Sequence, residues 1–259
     1  MNKLKCLQIK NQTETSADIY IYGDIVDDSY SDWIGAGYIF PVDVRTQLEA
    51  LSGRDINVYV NSDGGFVSCG IAIANMIARH QGNVTAYIDG WAASIASVIV
   101  MAAKKIVMPE NAMLMIHRPM TGVMGNVDDM QRGIDGLLAA QEAMLTTYGN
   151  HLKEGVSIDD IRADMEAETW YTASEAAEKF DIEIVSPIAQ QVAYAGDMTK
   201  YFKNMPENVR NLLAFNHTNA KKMQEKQAKM AEIAKIKAEN ELKSKKFAIS
   251  MSLLNGRMI

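Results

Sequence analysis

Ser94 is the residue whose neighbours most suggest chemistry. It stands in Gly90-Trp91-Ala92-Ala93-Ser94-Ile95-Ala96-Ser97, between a strand-ending glycine and an apolar run of helical character. A hydroxyl placed there sits at a helix N-terminus, where the partial positive charge of unpaired amides favours a developing anion. The amide of Ile95 is one of those first-turn donors and faces the place where an oxyanion would form. Ala92 and Ala93 are small enough for a substrate backbone to come close. Gly64-Gly65, after another strand, offers a second donor, because glycine tolerates the positive φ that gathers amides into a concave nest. His117 closes the apolar stretch Met113-Leu114-Met115-Ile116 and precedes Arg118-Pro119, a position suited to a general base. An acid to orient its imidazole is sought in Asp164-Met165-Glu166-Ala167-Glu168. Glu168 is the first choice, with Glu166 and Asp164 as competitors. Each residue also has an ordinary structural use, as packing serine, tight turn, core histidine or solvated acid. The weight therefore rests on their combination.

The elements that must position these residues follow from periodicity. Ala17–Gly23 alternates as a strand, and Asp24–Trp33 is a polar loop. Ile34–Leu51 reads as a short amphipathic helix. Ile56–Val60, rich in β-branched residues, is a strand closed by the turn cluster Asn61-Ser62-Asp63-Gly64-Gly65. Gly70–Arg79 carries a helical apolar face, Val84–Ile88 is a strand, and Ala92–Ala103 is a buried helix. Lys105–Met108 and Met113–His117 are further strands. Val127–Leu152 is predicted as one long helix, followed by helices over Ser157–Met165 and Ala173–Lys179 and a closing strand, Ile182–Val185. Strand–helix–strand units of this length imply an α/β fold with parallel strands, whose ligands gather at strand carboxyl ends. Gly64-Gly65, the turn before Ser94, and His117 all lie at such ends.

The 259-residue chain is 48% hydrophobic and 22% charged, a balance that supports a sizeable core and excludes wholesale disorder. The best apolar stretch, Ala92–Ala103, is interrupted by Ser94 and Ser97 and falls short of the ~18 residues a membrane span needs. The start, MNKLKCLQIK, lacks the apolar segment of a secretory signal, so a cytoplasmic protein is expected. Cys6 and Cys69 have no metal or redox spacing and the four histidines are scattered, which argues against a disulfide framework or Cys-based zinc site. No metal or other cofactor is expected. Residues 200–259 hold 13 Lys and Arg against 5 acids, while the first 199 residues hold 13 against 27. An acidic body with a basic tail does not suit nucleic acid. Within the tail, 219–246 are strong helix formers with an uneven apolar stripe.

Taken in order, Val60-Asn61-Ser62-Asp63-Gly64-Gly65, Gly90-x-Ala92-Ala93-Ser94, Met115-Ile116-His117-Arg118-Pro119 and Ala173-x-Glu175-Ala176 resemble the ClpP serine peptidase family over roughly residues 17–187. The intervals of 30 residues from Gly64 to Ser94, 23 to His117 and 51 more to Glu168 are similar to the family's. Asp89-Gly90-Trp91-Ala92-Ala93-Ser94-Ile95-Ala96-Ser97 and Glu168-Thr169-Trp170 look most like its phage and prophage branch, the head maturation proteases. The resemblance implies a spiral of βαβ units, shared with the crotonases, with a protruding long helix. It implies a peptidase domain over 1–190 and a basic, largely helical extension over 191–259. By the same resemblance Ser94 is the nucleophile, His117 the base, and the amides of Gly65 and Ile95 the oxyanion hole. Glu168 falls where the family usually has the triad aspartate. Asp63 replaces a usual proline, which is expected to loosen the turn or repel acidic substrates.

The implied activity is peptide-bond hydrolysis by acyl transfer. Protein or peptide substrate is expected to bind as an added strand between Gly65–Ser68 and the loop Met120–Gly125, against Gly64, Phe66, Val67, Thr121 and Gly122. The family also implies a homo-oligomeric ring, doubled through the long helix, and the basic tail suggests an acidic capsid or scaffold protein as partner. Four other readings stand beside this one. A housekeeping proteolytic subunit would need its ATPase on a separate chain, since no GxxxxGK[ST] is present. A Ser–Lys dyad would have only Lys104 or Lys105 to draw on. The crotonases use paired amides on thioesters. A non-catalytic ring scaffold would leave Ser94 and His117 unexplained. Trp33, Trp91 and Trp170 read as packing residues, with Trp91 near enough to Ser94 to shape a side-chain pocket.

Overall fold

A computed structural model describes residues 6–32, 37–186, 202–207 and 209–210 of the 259. The chain divides into two compact units, Met1–Glu207 and Asn208–Ile259; the helix expected over 219–246 and most of the extension expected over 191–259 lie outside the described residues. The first unit is a mixed α/β fold. It opens with strands β1 (Leu7–Lys10), β2 (Ser16–Tyr22), β3 (Asp24–Ile25) and β4 (Tyr38–Ile39), then helix α1 (Pro41–Ala50). Strand β5 (Asp55–Ser62), helix α2 (Val67–Ala78), strand β6 (Val84–Ala93), helix α3 (Ile95–Val100) and strand β7 (Lys105–Pro109) follow. Strand β8 (Met113–Ile116), the long helix α4 (Val127–Tyr148), helix α5 (Ile158–Ala167), strand β9 (Thr169–Thr172), helix α6 (Ala173–Lys179) and strand β10 (Glu183–Val185) complete it.

The main sheet runs β1-β2-β5-β6-β7-β10, with β1 antiparallel to β2 and the others parallel. Alternation decides which face is core. Ile19 and Ile21, Val58 and Val60, and Ala86 and Ile88 are all buried, while Tyr20, Tyr59 and Tyr87 stack on the opposite face at 4.7 and 4.9 Å. A parallel sheet covered by helices on both faces would need continuous apolar strands instead.

Strand β6 serves two branches. Its first half pairs with β7 at Thr85–Tyr87, and its second half pairs with β8 at Trp91–Ala93. Strand β9 then adds antiparallel to β8. The divergence opens the sheet at the end of β6, which is where the candidate residues converge.

Several expected boundaries move. The helix expected over Ile34–Leu51 starts at Pro41, whose ring fixes φ for a first helical turn, and residues 33–36 are not described. Gly90 does not end its strand; β6 continues to Ala93, so the helix expected over Ala92–Ala103 is only Ile95–Val100. Residues 7–10 and 169–172, given no regular structure in the sequence reading, are strands. The long helix ends at Tyr148, followed by a 3-10 turn over Gly149–His151. No described helix is long and apolar enough to cross a membrane.

Candidate active site

Ser94 is a sharp elbow between β6 and α3. Its φ of 56° and ψ of −130° lie where an L-residue is strained, and such strain persists only when the surroundings enforce it. They do so here in three ways. The Ser94 amide donates to the Met115 carbonyl at 3.0 Å, continuing the β6–β8 ladder. The Ser94 carbonyl accepts from the amide of Ser97 at 3.0 Å and also from the Ser97 hydroxyl. Ser97 in turn lies 2.7 Å from the hydroxyl of Tyr148, which is fully buried at the end of α4. Since Ser97 donates forward to Ser94, Tyr148 donates to Ser97. Complete burial pushes the Tyr148 phenol well above its ordinary range, which keeps that donor protonated.

His117 follows β8 directly and is 6% exposed. Its Nε2 is 2.7 Å from Oγ of Ser94, so the two residues meet because β6 and β8 are adjacent and in register. Burial pushes the imidazole below its ordinary pKa, and the negative charge of Glu168 pushes it back up. The net lowering favours the neutral ring, the form able to take a proton.

The glycine turn lies against this elbow. Gly64 has φ +98°, and a Cβ there would stand 2.7 Å from Cβ of Ser94 and 3.2 Å from the amide nitrogen of Ile95. Gly65 has φ +143°, and a Cβ on it would collide with the carbonyl of Ile25. That close approach forms a bridge: Ile25 donates to the Gly64 carbonyl at 2.7 Å and Phe66 donates to the Ile25 carbonyl at 2.9 Å. Among the described residues, none accepts a hydrogen bond from the amides of Gly65 or Ile95.

Asp63 corrects the sequence reading. It is fully buried and accepts from the indole Nε1 of Trp91 at 2.7 Å, so it ties the glycine turn to β6 instead of loosening it. With no exposed surface it cannot meet a substrate. Trp91 packs edge-on against Trp170 at 6.4 Å. The indole N–H of Trp170, itself 9% exposed, has no acceptor among the described residues.

Glu168 sits opposite His117. The antiparallel register pairs Ile116 with Thr169, and one step further brings 117 beside 168. Glu168 caps α5 at φ +53°. Its carboxylate does not bond the imidazole, and among the described residues nothing bonds Nδ1 of His117. Instead Oε2 accepts from the amide of Lys203 at 3.0 Å and Oε1 from that of Asn204 at 2.6 Å. The competitors are committed elsewhere. Asp164 takes the Tyr171 hydroxyl and the Lys179 ammonium, each at 2.8 Å, and Glu166 pairs with Arg118. Phe66 is exposed and Val67 half-buried at the start of α2, while Thr121 and Gly122 are exposed in the irregular loop between β8 and α4. The sequence predicts no role in the site for Ser97 or Tyr148. A second serine three residues after the first was the available signal for Ser97, and Tyr148 had none.

A buried imidazole bonded to a strained serine that starts a helix, with the glycine turn packed against it, can perform nucleophilic acyl transfer. Comparison with known proteins bears on this. The profile of the family described as Clp protease matches residues 2–186. The chain is 33% identical over 129 residues to proteins named ATP-dependent Clp protease proteolytic subunit from two strains of Bacteroides fragilis, covering 49% of this chain and 61% and 57% of theirs. It is 31% identical over 129 residues to the protein of that name from Porphyromonas gingivalis, covering 49% and 57%. The aligned stretch thus spans about three fifths of each relative's length.

Proposed function

The chain belongs to the Clp protease family, and from that premise we propose that it is a serine endopeptidase with Ser94 as nucleophile and His117 as base. The observation that supports this is the 2.7 Å bond between Ser94 Oγ and His117 Nε2 at a positive-φ elbow. His117 takes the hydroxyl proton as Oγ attacks the scissile carbonyl. The oxyanion is held by the amides of Gly65 and Ile95, each such donor being worth ~3 kcal/mol. The tetrahedral intermediate collapses, His117 protonates the leaving amine, and water repeats the sequence on the acyl-enzyme. Glu168 contributes the charge that raises the basicity of His117. Substrate runs extended between the Gly65–Ser68 edge and the exposed loop bearing Thr121 and Gly122.

The names of the three relatives favour a proteolytic subunit of an ATP-dependent protease, whose ATPase would be a separate chain; the cytoplasm is the setting that goes with this reading. A homo-oligomeric ring, stacked through α4, fits the apolar residues Val127, Met130, Ile134 and Leu138 exposed along that helix. The second reading, capsid or scaffold processing with the basic tail as recruiting segment, rests on the Asp89–Ser97 resemblance and the tail's charge. None of the three relatives' names mentions such a role. Labelling with a fluorophosphonate tests the chemistry: the wild-type chain should be modified at Ser94 and Ser94→Ala should not. Labelling that persists in Ser94→Ala rules the mechanism out. Degradation of a folded protein only with added Clp ATPase and ATP would favour the first setting, and ATP-independent cleavage of a scaffold protein the second.

A further inference from the structure

The segment Phe202–Met205 lies on the candidate catalytic face. The Phe202 ring is edge-on to His117 at 5.5 Å and to Trp170 at 5.6 Å. The next two amides, of Lys203 and Asn204, both point at the carboxylate of Glu168. The Asn204 side chain donates to the Ala167 carbonyl at 2.7 Å, and Met205 is buried. The chain bends at Lys203 and Asn204, so two consecutive amides converge on one carboxylate beside an aromatic side chain, a compact arrangement in which a peptide can be held by its backbone and one ring. We propose that His117, Trp170 and Glu168 form a peptide subsite for an aromatic residue and the backbone after it, and that the chain's own Phe202–Asn204 fills this subsite and restrains the enzyme in cis.

The restraint is twofold. The ring of Phe202 covers one side of the base, where an incoming substrate would otherwise pack. The two amides also hold Glu168, the cross-strand neighbour of His117, so that Nδ1 keeps no acceptor to fix its tautomer. Displacing the segment leaves the carboxylate beside Nδ1 with its oxygens available. A separate peptide with an aromatic residue in the same place makes the same contacts and restrains the site in the same way.

The proposal rests on the serine-peptidase reading, and one experiment separates the two. Fluorophosphonate labelling of Ser94 is timed in the full chain and in full-length Phe202→Ala and Asn204→Ala. Loss of two aromatic contacts should speed labelling of Phe202→Ala by roughly tenfold, and loss of one side-chain hydrogen bond should speed Asn204→Ala by roughly threefold to fivefold. A synthetic peptide of residues 200–206 should return the Phe202→Ala rate toward wild type, and the same peptide with alanine for phenylalanine should not. Equal rates in all three proteins, or equal effects of both peptides, overturn the subsite alone. No labelling in any of them overturns the peptidase reading and the subsite with it.

Discussion

Replacing Ser97 by alanine should destabilise the protein more than replacing both Ser97 and Tyr148. In the wild type, Tyr148 donates to Ser97 and Ser97 donates to the Ser94 carbonyl. Tyr148→Phe removes one hydrogen bond and leaves Ser97 its bond to Ser94, a loss of about 1 kcal/mol. Ser97→Ala also removes the bond to Ser94, and it strands the phenol of a residue with no exposed surface. A buried donor left unpaired adds about 1–3 kcal/mol, so the single change should cost about 2–4 kcal/mol. In Ser97→Ala/Tyr148→Phe nothing is stranded, and the cost should return to about 1–2 kcal/mol. The urea midpoints should therefore rank wild type, Tyr148→Phe, the double variant, then Ser97→Ala, with a coupling of about 1–3 kcal/mol. The elbow should loosen in parallel, so that fluorophosphonate labelling of Ser94 slows most in Ser97→Ala. Additive midpoints, with the double variant the least stable, would refute the relay and leave Ser97 and Tyr148 as independent packing residues.

Three further changes have definite directions. Glu168→Gln removes a negative charge that raises the His117 pKa, so the acid limb of the pH–rate profile should move to lower pH even as the maximal rate falls. An unmoved limb would show that the two groups are uncoupled. Gly64→Ala forces an L-residue to φ +98° with its Cβ 2.7 Å from Cβ of Ser94; the backbone strain alone is about 1–2 kcal/mol, and labelling should slow by roughly fivefold to thirtyfold. Ile134→Lys with Leu138→Lys places two charges on the exposed apolar stripe of α4. Light scattering should then report a smaller assembly, with Ser94 still labelled.

Much of the fold was legible because the chain alternates where one sheet face is buried. Ile19 and Ile21 against Tyr20, or Val58 and Val60 against Tyr59, show the period of two directly. The long helix was legible for a different reason. No proline interrupts it, glycine is sparse and its apolar residues are spaced; the capping box of Asn126 and Asp129 that starts it is seen only in the structure. What failed locally was the stretch around Ser94. Small apolar residues suit either a buried strand or a buried helix, and Ala92 and Ala93 went to β6 because Ser62 and Leu114 flank Ala92 on neighbouring strands. Those partners are 30 and 22 residues away, beyond any local pattern.

The same distinction divides the site. Ser94, His117 and the glycine pair could be read because each stands at the end of a recognisable apolar run, and a parallel sheet brings such ends together. Glu168 could be named but its contacts could not, because its place depends on β9, a four-residue strand that reads as neither element and whose register is fixed by β8. Asp63 was misread for a related reason. A carboxylate in a turn is ordinarily solvated, and only the folded chain brings the Trp91 indole to it from another strand. Lys203 and Asn204 meet Glu168 through their backbone amides, which every residue except proline possesses. A contact made by the main chain leaves no trace in side-chain identity. Of the segment over the base, Phe202 and Asn204 are thus the positions where a substitution can report the contact, and Phe202 is the one whose loss should uncover His117.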